Sequence, residues 1–87
     1  MASSIQIEIA RLVLSKRWGA LATLNDGAPL ASMVAYAPEP EIAGILMFLS
    51  GLSAHTRNLL DDPRCSLVVT EADPGKGDPQ TLPRVSL

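Results

Sequence analysis

Ser50, Ser53, His55, Thr56 and Arg57 put three hydroxyls, an imidazole and a guanidinium within one short stretch. They follow a β-type run, Ile45-Leu46-Met47-Phe48-Leu49, and fall where a turn rich in small and hydroxyl residues meets a helix start. The first backbone N–H groups of a helix lack intrahelical partners, and the helix dipole points its positive end the same way. Such a corner suits an anion, above all a phosphate. His55 can donate to that phosphate, and it also fits a plain surface or capping role. Arg57 either reaches the same anion, or faces solvent or pairs with Asp61 one turn later. Asn58 is expected to hold a backbone carbonyl near the helix end.

Catalytic acid–base machinery is not legible. Asp61 and Asp62 are adjacent, so their side chains diverge, and Asp62-Pro63 reads as a helix stop. Gly75-Lys76-Gly77 is too short for a phosphate loop and lacks its spacing. His55 has no metal-ligating neighbour at useful spacing, so neither a catalytic set nor a metal site is assigned. Cys65, the single cysteine, precludes an intrachain disulfide and a multi-cysteine zinc site; its apolar run marks it as a small buried hydrophobe.

The elements that must position the corner follow from the hydrophobic pattern. Ser4 to Ser15 reads as an amphipathic helix capped by Ser4, with Ile5, Ile9, Leu12 and Val13 on one face and Glu8 and Arg11 opposite. After Trp18-Gly19, a strand Ala20 to Leu24 meets Asn25-Asp26-Gly27, a hairpin turn signal, and Pro29 opens a second strand through Tyr36. On that strand Leu30, Ser32, Val34 and Tyr36 form a mixed face suited to lining a ligand, while Ala31, Met33, Ala35 and Ala37 read as core. Pro38-Glu39-Pro40-Glu41 makes a loop into a third strand, Gly44 to Leu49. A short helix, Ser53 to Leu60 with Ser53 as cap, leads to strand four, Cys65 to Thr70. A polar loop from Glu71 to Pro79 then precedes a fifth strand within Leu82 to Leu87.

With 87 residues the chain makes one small domain, and a domain of that size buries roughly 60–65% of its unfolded surface. Aromatics are limited to Trp18, Tyr36 and Phe48, so Leu, Val, Ile, Ala and Met must build the core. A net charge of −2 and the lack of a basic cluster argue against nucleic acid and against an anionic membrane. Gln6, Glu8 and Arg11 interrupt the N-terminal apolar pattern, which excludes a signal peptide or span there, and a cytoplasmic setting is expected. Four or five antiparallel strands leave an open edge that a further strand or a second subunit must cover. The expectation is that residues 1–87 are part of a longer domain, cut at its C-terminal end.

The order of these segments resembles the flavin-binding split barrels, the superfamily that includes pyridoxamine 5′-phosphate oxidase, and within it the haem-utilisation and general-stress branch. The likeness rests on Trp18-Gly19-Ala20-Leu21-Ala22-Thr23, Asp26-Gly27-Ala28-Pro29, Ala31-Ser32-Met33-Val34, Leu49-Ser50, and Leu52 to Leu59 around His55. Asp62-Pro63-Arg64-Cys65-Ser66-Leu67 and Gly77-Asp78-Pro79 continue it. It covers essentially the whole chain but only the N-terminal half of such a domain. The resemblance implies an α+β fold, mainly β with short helices: an antiparallel split β-barrel, here incomplete, with an N-terminal helix. It also implies a homodimer with FMN across the interface and oxidoreductase chemistry, or alternatively a non-catalytic haem- or flavin-binding module. By matched position the cofactor contacts are Ser32, Met33 and Val34 on the second strand, extending toward Tyr36, then Leu49, Ser50, Ser53 and His55. Trp18 would stack on the flavin or pack in the core or dimer interface. Where the oxidase carries arginine, lysine and lysine, this chain has Ser32, Ala37 and His55. Three charge-assisted phosphate contacts are thereby weakened.

Overall fold

The computed structural model describes residues 3–40, 44–47 and 49–87. Glu41 of the expected loop and Phe48 of the expected third strand lie outside the described residues. The chain runs through α1 (Ser4–Ser15), β1 (Trp18–Asn25), β2 (Ala28–Pro38), β3 (Ile45–Met47), α2 (Ala54–Asp61), β4 (Ser66–Thr70), a 3₁₀ turn at Pro79–Thr81, and β5 (Arg84–Ser86). The strands form one antiparallel sheet in the order β3-β2-β1-β4-β5, which does not close on itself.

The hairpin between β1 and β2 fixes the register. Asp26 (φ 52°) and Gly27 (φ 80°) both take positive φ, the requirement of a type I′ two-residue turn whose twist matches the strands it joins. Pairing then runs without interruption from Asn25↔Ala28 to Trp18↔Ala35. At the far end of β1 the backbones crowd: a Cβ on Gly19 would sit 2.8 Å from the Val68 carbonyl oxygen and 3.0 Å from Leu67 Cδ1. Only glycine lets β4 approach β1 there.

The cap of α1 is Ser3 rather than Ser4. Its hydroxyl accepts from Gln6 N at 3.1 Å while Gln6 Oε1 accepts from Ser3 N at 2.8 Å, a reciprocal box that satisfies two orphan donors. Of the expected apolar stripe only Leu12 and Val13 are buried; Ile5 is 72% exposed. The C-terminal part of the helix is docked by Tyr36, whose hydroxyl donates to the Val13 carbonyl at 2.6 Å. Burial of that phenol pushes its pKa up.

The faces of β2 are the reverse of the sequence expectation. Val34 and Tyr36 are buried with Leu12, Val13, Leu21, Leu67 and Val69 in the core, whereas Ala31, Met33, Ala35 and Ala37 lie on the exposed side. Both helices contact β2, and the residues they bury decide which face becomes interior. The larger side chains fill that space, and the alanine-rich face is left outward. Cys65 is likewise exposed, because it precedes the first paired residue of β4. Trp18 is 57% exposed at the start of β1 and takes no part in the core.

Between α2 and β4, Arg64 clamps Asp62: Nη2–Oδ2 is 2.7 Å and Nε–Oδ1 is 3.0 Å, and Arg64 N also donates to Oδ1 at 3.1 Å. Side-chain and then backbone hydrogen bonds from Arg64 hold the Asp62 carboxyl down to about 2, against an ordinary value near 4. The folded state therefore binds this proton less tightly than the unfolded one. Its contribution is complete above about pH 4 and is lost as the pH falls from there through 2. Arg64→Ala removes the side-chain bonds but keeps the residue-64 N–H, so it is expected to raise the Asp62 midpoint part of the way toward the ordinary carboxylate range, read by carboxyl-carbon NMR titration.

Candidate functional site

Ladder geometry determines which backbone groups of β2 are free. Tyr36 N donates to the Arg17 carbonyl at 3.1 Å. Antiparallel ladders alternate hydrogen-bonded and non-bonded pairs, so Val34 and Ser32, two and four residues back, also turn their amides toward β1. Met33 and Ala31 turn theirs to the opposite side. There β3 pairs only from Pro38↔Ile45 to Tyr36↔Met47. Continuing that register places Met33 opposite Ser50, yet among the described residues nothing accepts the Met33 N–H. Of the three strand positions Ser32, Met33 and Val34, Met33 alone presents a spare amide toward the β3–α2 turn. Val34 is buried in the core and Ser32 is half-buried.

The turn itself is held by Ser50. Its hydroxyl accepts from Leu52 N at 3.2 Å and its carbonyl from Ser53 N at 3.1 Å. Leu49, half-buried, packs on the core and anchors the approach. Ser53 occupies the N-cap position of α2 in extended geometry, but its side chain makes no cap hydrogen bond, contrary to expectation. The Ser53 carbonyl takes Arg57 N at 3.2 Å, while the N–H groups of Ala54, His55 and Thr56 precede the first helical bond. Thr56 Oγ1 is buried without a hydrogen-bond partner among the described residues. Arg57 is exposed, the solvent-facing one of its expected alternatives; the pairing with Asp61 is not formed, and no described carboxylate neutralises it.

Asn58 holds this assembly against the sheet. It is 7% exposed, and its Nδ2 donates to Thr23 Oγ1 at 3.1 Å, where Thr23 is 1% exposed. The sequence expectation gave Asn58 a carbonyl near the helix end; instead it pins α2 to β1. Thr56 was among the donors the sequence placed at the corner, whereas Asn58 was not legible as the anchor. The one available signal was α2's own periodicity, which turns Asn58 inward with Leu59.

These donors lie within one five-residue segment, Ser53 to Arg57, that contains no carboxylate. An uncapped helix start, a buried orphan hydroxyl, the free Ser53 hydroxyl, the half-buried His55 imidazole and the unneutralised Arg57 suit a phosphate better than a cation. Among the described residues no group of three or more metal-ligating side chains occurs.

The unclosed antiparallel sheet with its two helices is an incomplete split barrel. The family model described as pyridoxamine 5′-phosphate oxidase matches residues 5–87, and the chain belongs to that family. It is similar to a heme-binding protein from Mycobacterium smegmatis, at 32% identity and TM-score 0.83, covering 100% of this chain and 35% of that one. It is also similar to the protein Atu2129, of unknown function, from Agrobacterium tumefaciens C58, at 35% identity and TM-score 0.73 over 100% and 38% of the two chains. A further solved chain is 31% identical at TM-score 0.77, with 99% of this chain and 59% of that one covered. This chain thus spans well under two thirds of each of these structures. No curated protein matches it.

Proposed function

We propose that this chain binds FMN, with the flavin phosphate at the β3–α2 corner, as a flavoprotein of oxidoreductase type. The observation that carries the reading is the uncapped start of α2, where Ser53 makes no cap bond and, three residues on, Thr56 Oγ1 is buried with no partner among the described residues. A bound phosphate oxygen would supply the acceptors that these donors lack. The N–H groups of Met33, Ala54, His55 and Thr56, the Ser53 hydroxyl and the His55 ring would hold the dianion, with Arg57 adding long-range attraction. FMN, when bound, supplies the electron chemistry through its isoalloxazine, and the chain's part is to bind and orient it. The outward apolar face, with Met33 73% and Leu46 55% exposed, fits a second copy of the chain and supports a homodimer with the cofactor between subunits. A cytoplasmic setting accords with the exposed free thiol of Cys65. No described helix is long and apolar enough to cross a membrane.

A second reading, a haem-binding module without catalysis, is favoured by the likeness to the mycobacterial heme-binding protein and by the half-buried His55. Flavin and haem titrations separate the two. FMN is expected to stay with the protein through desalting, in a species of twice the chain mass, and riboflavin is expected to bind far less. Ser53→Ala with His55→Ala removes two contacts to a charged group and is expected to weaken FMN by about a hundredfold. Equal retention of riboflavin would overturn phosphate recognition. A Soret band on adding haem, lost in His55→Ala, would instead favour the second reading.

A further inference from the structure

We propose that the cleft where β1 and β4 part binds a small organic ammonium ion with an apolar body. The two strands pair only from Ala22↔Ser66 to Ala20↔Val68. β5 pairs along the opposite edge of β4, from Val68↔Ser86 to Thr70↔Arg84, while the pairing with β1 stops at Ala20↔Val68, so among the described residues the start of β1 has no paired strand on that side. The opening is a cleft of about 490 Å³, within the range of small-molecule sites. Trp18, Ala20, Val68 and Leu82 give it an apolar lining.

Its polar groups select the ligand's charge. Lys16 Nζ is spent on Glu71 Oε2 at 3.0 Å, leaving that pair neutral overall. Asp73 also lines the cleft; its Oδ1 accepts from Gly75 N at 2.8 Å, and no described cation pairs with it. The cleft therefore carries one carboxylate in excess beside an indole that is 57% exposed. An ammonium head satisfies both, through Coulomb attraction to Asp73 and cation–π attraction to the ring, while its apolar body covers Ala20, Val68 and Leu82. An anion meets the Asp73 carboxylate with no described cation to offset it. None of the phosphate-corner residues lines this cleft, so the two sites are separate.

Trp18 is the only tryptophan, so intrinsic emission reports directly on the cleft. Titration with phenethylammonium is expected to give a saturable emission change in the millimolar range or below. Phenethyl alcohol, of the same shape without the charge, should bind several-fold more weakly, and phenylacetate should not bind. Asp73→Asn keeps an acceptor for Gly75 N and is expected to weaken the ammonium by about threefold to fivefold, as befits an exposed ion pair. Thermal midpoints of the two proteins should coincide, which separates lost charge from lost fold. Equal responses to the ammonium and the alcohol, or an Asp73→Asn protein that binds the ammonium unchanged, would overturn the proposal.

Discussion

Leu21→Ala is expected to remove about 3 kcal/mol of stability, within the 2–5 kcal/mol found for large-to-small changes in well-packed interiors. Leu21 is 1% exposed at the middle of β1, paired to Ser32 on one side and Leu67 on the other. Its side chain therefore sits where β2 and β4 flank the central strand and where the core residues from both helices and sheet meet. Neither neighbouring strand can collapse into the void without breaking a ladder. For a chain of 87 residues the total stability is of order 4–13 kcal/mol, so this one loss takes a large share of it. The urea midpoint should fall with an unchanged slope, whereas Leu60→Ala, at a position 82% exposed, should leave the midpoint nearly unmoved.

Asn58→Ala is expected to cost about 2–3 kcal/mol and to weaken the anion site without touching the ligand. The substitution strands the Thr23 hydroxyl, 1% exposed, with its partner gone, and an unpaired buried polar group carries a penalty of about 1–3 kcal/mol. A small cavity adds to it. Because Asn58 is the buried polar link from α2 to β1, the helix start that carries Ser53, His55 and Thr56 loses its fixed position over the sheet. Removing both polar partners with Thr23→Val and Asn58→Leu should recover a good part of the stability, since two apolar groups leave no orphan. Chemical denaturation of the four proteins of this cycle gives the coupling, and FMN titration of each gives its effect on the site. Additive single and double values would show that the pair carries no coupling energy.

What could be read from sequence was whatever depends on neighbours in the chain. The Asn25-Asp26-Gly27 signal gives the hairpin and hence the whole β1/β2 register, because turn geometry is local. The serine-rich turn ahead of α2 is legible for the same reason. The facing of β2 was not, since alternation shows that two faces exist but not which one the helices will cover. Leu30, Ser32, Val34 and Tyr36 look more polar than the Ala/Met set, yet the larger side chains Val34 and Tyr36 are the ones that fill the core. Asn58 was misread because its partner, Thr23, lies 35 positions away. Cys65 was misread because an apolar run does not reveal where pairing begins. The likeness in motif order located the family, but that Met33 N–H and Thr56 Oγ1 have no partner among the described residues depends on where the chain folds back on itself, which motif order does not show.

The Asp26–Gly27 turn also sets an order of events in time. It closes the shortest loop in the sheet, and every pair from Asn25↔Ala28 to Trp18↔Ala35 follows by zipping outward. Hairpins of this kind form within about 1–10 μs. The contact of β1 with β4, by contrast, joins Ala22 to Ser66 across the whole of β2, β3 and α2, and such long closures carry their entropic cost before any contact is gained. The nascent chain therefore holds a formed β1/β2 ribbon while β4 and β5 are still free. During that interval the Gly19 side of β1 is an open edge, and the glycine that later admits β4 is what that edge first presents to the rest of the chain.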